Sequence, residues 1–224
     1  MDIEKTFTDN GGTFLTPADQ IGKSLSSVRA LIFDWDGVFN NGMKSADGGS
    51  PFSEVDSMGI NLLRFSIWLR TGRMPLCFII TGMNNQTALG FAKREHFDGI
   101  VMGIKRKRLA FDLICDKYGI APGEAAFIFD DVIDIETAKV CGMSFFINRR
   151  SNPLLSDYIK KHRISSYISS LSGERHGLRE ICELMMGLNG NYEKVVELRI
   201  SFVPEYESYL KERELIIPNT ELHP

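Results

Sequence analysis

Five short apolar runs punctuate the chain: "ALIF" (30–33), "LCFII" (76–80), "GIVM" (99–102), "AAFIF" (125–129) and "SFFI" (144–147). Each is continuous rather than alternating, the pattern of strands buried on both faces of a parallel sheet. Between them the apolar positions recur with a helical period. Over residues 105–118, Leu109, Ala110, Leu113, Ile114 and Tyr118 fall on one face, and Gly119 supplies the stop. Strand and helix in alternation make βαβ units with right-handed crossovers. The pattern therefore predicts an α/β fold, a Rossmann-like parallel sheet with helices on both faces.

One segment breaks the rhythm. Between the first strand and a helix expected near Met58 lies "NNGMKSADGGSPFSEVD", in which Asp47-Gly48 has the chemistry of a hairpin turn. A small projecting β-hairpin is expected at about 43–56. Residues 1–27 read as a loosely held tail, 28–190 as the α/β domain, and 191–224 as a helical extension broken at Pro204.

Composition narrows the class without choosing a function. With 224 residues, 43% hydrophobic and 25% charged, the chain has ordinary globular values and enough length for one full core. A formal net charge of −3 gives no field to draw the whole molecule to nucleic acid or to an anionic membrane, so any anionic ligand must be met locally. The start, "MDIEKTFTDNGG", is polar and acidic where a signal peptide needs a basic and then an apolar run, and a cytoplasmic location is expected. Four cysteines stand singly without a metal-binding spacing, which is how small buried hydrophobes in a reducing compartment read.

In an open parallel sheet, ligands bind beyond the carboxyl ends of the strands. The residues found there agree with one another. The first strand ends in Asp34-Trp35-Asp36-Gly37, the second in Thr81-Gly82, and the fourth in Asp130-Asp131 with Asp134 a turn later. If the chain stays extended through Trp35, Asp34 and Asp36 point to one side, and Gly37 lets the backbone turn away. Carboxylates gathered in one crevice repel each other unless something positive sits among them. With oxygen ligands and no neighbouring His or Cys, a divalent metal, Mg²⁺, is the expected remedy.

A second cue is "GIKRKRLAF". Lys105, Arg106, Lys107 and Arg108 open a helix at the end that already carries positive partial charge, at a cost of about 0.3 to 1 kcal/mol for each misplaced cation. A bound anion would reverse the sign of that effect. Taken singly, each feature has an ordinary explanation: an Asp after a strand is most often a turn or cap residue, and a basic run is usually a solvated face. Their shared order, each at a strand end or a helix start, is what sets them apart.

That order resembles the haloacid dehalogenase superfamily of phosphotransfer enzymes. Residues from about 28 to 187 are similar, more narrowly, to the small capless 3-deoxy-D-manno-octulosonate 8-phosphate phosphatases, through "FDWDGVFNNG", "DSMGI", "IITG", "GIKRKRLAFDLI", "FDDVID", "NPLL" and "HGLREICELM". The resemblance implies that the fold lacks a large cap domain. It makes Asp34 the nucleophile that forms an aspartyl-phosphate and Asp36 the group that protonates the leaving oxygen and then deprotonates water. It places Mg²⁺ on Asp34, the backbone carbonyl of Asp36 and Asp130, with Asp131 in support. Thr81 and Lys107 would steady the transferring group, with Gly82 beside it. Arg175, in "SGERHG", becomes a candidate substrate contact, with a plain surface arginine as the equal alternative. The partners implied are a small phosphorylated substrate and three further copies of the chain, in a homotetramer whose hairpin approaches a neighbour's site.

The sequence also departs from the family. Phe129 stands where a glycine usually precedes the acid pair, and Met83 replaces an arginine. Asn40 and Asn41 take places usually held by Thr and Asp, and "DSMG" replaces an Asp-Gly loop. No core catalytic group is lost, but Phe129 could crowd the crevice. A catalytically degenerate scaffold or regulatory partner is therefore the competing reading. A signalling receiver domain also uses an acid pair, a Thr and a Lys, but in that fold the acid pair precedes the phosphoacceptor and the Lys ends a strand.

Overall fold

The computed structural model describes residues 2–46, 48–220 and 222. Among these residues seven strands form one sheet: β1 (Thr13–Phe14), β2 (Ala30–Phe33), β3 (Leu76–Ile80), β4 (Gly99–Val101), β5 (Ala125–Phe129), β6 (Met143–Phe146) and β7 (Tyr167–Ile168). Their spatial order is β1-β7-β6-β5-β2-β3-β4, all parallel except β1, which runs antiparallel to β7. The chain leaves β2 toward β3 and β4 on one side and fills β5, β6 and β7 on the other. The strand order thus reverses beside β2, and Asp34 follows directly from that strand at the switch point.

Among the described residues ten α-helices accompany the sheet: α1 (Ile3–Asp9), α2 (Ala18–Ser24), α3 (Glu54–Thr71), α4 (Gln86–Arg94), α5 (Lys107–Tyr118), α6 (Ile135–Ala138), α7 (Pro153–His162), α8 (Gly177–Leu188), α9 (Tyr192–Ser201) and α10 (Pro204–Glu214). Because β2 is buried on both faces, its residues divide between two cores. Leu31 and Phe33 join Leu63 of α3 and Leu178 and Met185 of α8, while Ala30 and Ile32 join Phe111 and Ile114 of α5 and Ile159 of α7. Gly59 lets α3 approach α8 closely, since an added Cβ would lie 2.8 Å from Arg179 Cδ. Phe129 belongs to the second core. Its ring is fully buried, stacked on Phe127 at 5.7 Å and tilted against Phe146 at 5.3 Å, and so does not crowd the crevice.

Three expectations need correction. The N-terminal segment is ordered: β1 extends the sheet, and Ile3 and Phe7 pack on the first core. Residues 43–53 contain no strand among those described, so the expected hairpin does not form, and 54–56 already belong to α3, whose Ser53 cap accepts the Val55 N–H at 3.1 Å. Of the proposed turn, Asp47 lies outside the described residues. The segment closes through the Ser45 N–H donating to Gly49 O at 2.8 Å, while Lys44 and Ser50 both turn their side chains to Asp36. Finally, Lys105 and Arg106 precede α5, which begins at Lys107.

The C-terminal segment is helical as expected, with Pro204 opening α10, where its missing N–H costs nothing. Tyr206 and Tyr209 pack against Phe65. Beyond them Asn219 pairs with the edge strand, donating its N–H to Asp98 O and accepting that of Ile100. That contact covers part of an otherwise open sheet edge. Among the described residues, no helix is long and apolar enough to cross a membrane.

Candidate active site

Three strand ends and one helix start converge at the carboxyl edge of the sheet. Asp34 follows β2, Asp130 follows β5, and Asp134 lies one short turn later. One oxygen from each lies within 4.8 Å of the others, and all three residues are buried. Lys107, the first residue of α5, is 1% exposed and places Nζ 2.5 Å from Asp34 Oδ1 and 2.6 Å from Asp134 Oδ1. Of the four consecutive cations only Lys107 enters the site. Arg106 reaches Glu136 at the surface, and Arg108 pairs with Asp112 one turn along the helix. The charge misplaced at a helix start is therefore neutralised from the sheet side.

The carboxylates are strained electrostatically. Burial, reinforced by the charge of Asp34, pushes Asp130 up to about 9 and Asp134 up to about 7, although Arg149 and Lys107 respectively oppose the shift. Burial draws Lys107 down, but Asp34 and Asp134 more than reverse this and hold it charged. Both oxygens of Asp130 are shut off from solvent and find no hydrogen-bond donor among the described residues. The Arg149 guanidinium stands 2.5 Å from Asp130 Oδ2, a charge contact outside hydrogen-bond geometry. A buried, oxygen-only trio with an unsatisfied carboxylate suits a hard divalent cation such as Mg²⁺.

The loop after β2 is built around these groups. Gly37 has φ +90°, and an added Cβ would overlap Asp130 Oδ2 and Arg149 Nη2. Asn40 is buried and ties the loop together: its Oδ1 accepts the Gly42 N–H at 2.8 Å and the Gly37 N–H at 3.3 Å, and its Nδ2 donates to Pro51 O. Asp36, on the same loop, turns from the trio toward Ser50 and Lys44. Ser50 Oγ donates to Asp36 Oδ1 at 2.6 Å, and Lys44 Nζ lies 2.5 Å from Oδ2.

The structure brings together Asp34, Asp130, Thr81 and Lys107 near one edge, with Asp36 adjoining. Thr81 is fully buried at the end of β3, where its Oγ1 accepts a long 3.5 Å bond from the Met83 N–H. Gly82 follows it, with Ile104 O as the nearest atom to an added Cβ. Asp131 lies outside the trio, because its carboxylate caps the next turn by accepting the Val132 N–H at 2.6 Å. Asp134 takes the third place instead. Arg175 is exposed and has no described side-chain contact with the acids. Its turn nevertheless presses on the loop after β2 through Gly173, where an added Cβ would overlap Gly37 O and Asn40 O. Met83 is exposed, which keeps it out of the core. Arg149, Lys44 and Ser50 carry no local sequence motif and were not anticipated.

No protein-family model matches the chain. In sequence it is similar to 3-deoxy-D-manno-octulosonate 8-phosphate phosphatase of Escherichia coli K12, 26% identical over 181 residues, which span 79% of this chain and 88% of that protein. The corresponding phosphatase of Yersinia pestis is 26% identical over 187 residues, covering 82% and 92%. Among solved structures, the Moraxella catarrhalis phosphatase in complex with magnesium, phosphate and KDO superimposes with a TM-score of 0.66 at 22% identity, over 80% of this chain and 97% of that one. The Haemophilus influenzae phosphatase in its cobalt-bound form gives 0.62 at 21%, over 75% and 93%. The chain has the haloacid dehalogenase-like fold, without an evident cap domain, and resembles the octulosonate phosphatases in sequence.

Proposed function

We propose that this chain is a Mg²⁺-dependent phosphomonoesterase acting on a small phosphorylated sugar acid, of the type of 3-deoxy-D-manno-octulosonate 8-phosphate, through an aspartyl-phosphate on Asp34. The observation that carries it is the convergence of Asp34, Asp130 and Asp134 at the switch point of the sheet, with buried Lys107 against Asp34 and Asp134. Sequence similarity to phosphatases over four-fifths of the chain supports the reaction class. Phe129, the departure that most favoured a degenerate scaffold, lies in the core.

Asp34 and Asp130 would hold the cation, with Asp134 beside them and the backbone at Asp36–Gly37 against Asp130. When bound, the cation neutralises excess carboxylate charge and draws a phosphate oxygen toward Asp34. Lys107 holds Asp34 in orientation, and its charge offsets that of the transferring phosphoryl group. Asp34 attacks phosphorus, a new O–P bond forms, and the ester P–O bond breaks. The leaving alkoxide takes a proton from Asp36. Water then attacks the acyl phosphate, gives its proton to Asp36, and releases phosphate and free Asp34. Thr81, with its hydroxyl hydrogen uncommitted to any described partner, donates to a phosphoryl oxygen.

The same reading makes the enzyme a cytoplasmic homotetramer in which residues 43–56 of one copy approach a neighbour's site. In the single chain, Lys44 and Ser50 of that segment already reach their own Asp36. Light scattering on purified protein tests the assembly. Turnover of p-nitrophenyl phosphate and a panel of phosphorylated sugar acids, in Mg²⁺ and in EDTA, tests the reaction. Release of phosphate from a sugar acid in Mg²⁺ alone is expected. No turnover of any compound, with thermal stability indifferent to Mg²⁺, returns the chain to a scaffold.

A further inference from the structure

Ser50 is buried although it lies in a loop, and its hydroxyl meets four polar groups, three donors and one acceptor. The Trp35 indole N–H, which can only donate, lies 2.9 Å from Ser50 Oγ. Asn85 Nδ2 lies 2.7 Å away, and the orientation of that amide follows from its other end. Asn85 Oδ1 caps α4 by accepting the N–H groups of Thr87 and Ala88 at 3.0 and 3.2 Å, so the NH₂ must face Ser50. These two donors occupy the lone pairs of the serine oxygen at close range, and a third donor, Lys44 Nζ, stands 3.5 Å away. The single hydrogen of the serine hydroxyl has one place to go, Asp36 Oδ1 at 2.6 Å.

We propose that Ser50 is a positioning residue for Asp36, held in one polarity by Trp35 and Asn85 so that Oδ1 always accepts and Oδ2 alone carries the proton exchanged with the leaving oxygen. The inference rests on the phosphatase reading. The donors are themselves fixed: Trp35 is fully buried, with Phe39 stacked at 4.5 Å and Phe91 at 5.4 Å, and Asn85 is pinned as a helix cap. Ser50 therefore has no freedom to turn its hydrogen elsewhere. Oδ2 faces Lys44, whose partly exposed side chain can withdraw to admit substrate. This chain thus supplies from its own loop and from α4 the hydrogen bonds that aim the acid, in the space where a hairpin was expected.

A leaving group that needs no proton distinguishes aiming from mere support. Ser50→Ala is compared with wild type on p-nitrophenyl phosphate and on 3-deoxy-D-manno-octulosonate 8-phosphate, with Asp36→Asn setting the scale. A fall in kcat of roughly 10- to 100-fold is expected for the sugar phosphate, part of the 10²- to 10⁴-fold that a positioned acid contributes. KM should stay within about twofold, and the loss on the aryl ester should be clearly smaller. Ser50→Thr should restore the rate. Trp35→Phe, which frees one lone pair of Ser50, should show the same selective loss on a smaller scale and serves if Ser50→Ala does not fold. Equal losses on both esters, or full activity of Ser50→Ala, overturn the role of Ser50 and leave the phosphatase reading standing. A wild-type protein that turns over neither p-nitrophenyl phosphate nor any phosphorylated sugar acid overturns the reading, and this inference with it.

Discussion

Lys107 Nζ lies 2.5 Å from Asp34 Oδ1, and neither side chain is more than 6% exposed. A contact of this kind joins the first residue of a helix to the residue after the central strand, and it fixes the direction of the group that would attack phosphorus. Removing one member of a buried ion pair leaves the other uncompensated, typically at a cost of about 3 to 5 kcal/mol. Lys107→Met is therefore expected to lower stability by about 3 kcal/mol in chemical denaturation and turnover by at least about 100-fold. Unchanged stability would mean that Asp34 and Asp134 do not depend on this cation.

Gly37 and Gly48 both have positive φ, but only Gly37 adjoins the acids. An added Cβ at Gly48 meets nothing within 4 Å, whereas at Gly37 it overlaps Asp130 and Arg149. Gly48→Ala should cost about 1 kcal/mol, the price of the backbone conformation alone. Gly37→Ala should cost more, about 2 to 3 kcal/mol, and should also weaken Mg²⁺ binding by calorimetry. Equal effects of the two substitutions would separate the loop from the site.

The raised Asp130 and Asp134 link stability to pH. In the metal-free protein the folded state binds more protons than the unfolded chain above the ordinary carboxylate range. The corresponding stabilisation is complete below about pH 4 and is lost as pH rises through about 7 and then about 9. The thermal midpoint in EDTA should thus fall between about pH 5 and pH 9 from these groups. Protons and cation compete for the same oxygens, so the rise in midpoint on adding Mg²⁺ should be larger at the alkaline end. A rise that does not vary with pH would place the cation elsewhere.

Much of this arrangement is legible in the chain because the sheet is buried on both faces. Continuous runs such as "AAFIF", short and alternating with helical patterns, read as buried parallel strands, and the acids after them inherit positions at the carboxyl edge. The two-residue strands β1 and β7 escape notice because so short a pairing leaves no period to detect. Which acid of "DDVID" faces inward is decided by a turn of 3₁₀ helix: Asp131 becomes its cap, and Asp134 is carried back to Lys107. Arg149 and Ser50 reach the site through tertiary packing, across more than 100 residues from Asp34 in one case and through an irregular loop in the other. The hairpin reading failed for a related reason. Turn chemistry at Asp47-Gly48 was visible, but the attraction of Lys44 and Ser50 to Asp36 was not.

The most direct test of the account is to trap the phosphorylated enzyme. Protein mixed with phosphorylated substrate and Mg²⁺ is quenched in acid, reduced with borohydride, digested and sequenced by mass spectrometry, since an acyl phosphate is reduced where a free carboxylate is not. The account predicts conversion of Asp34, and of no other acid, to homoserine only when substrate is present, and none in Asp34→Asn. Active turnover with Asp34 never modified, or modification found at Asp36 or Asp130 instead, would contradict it.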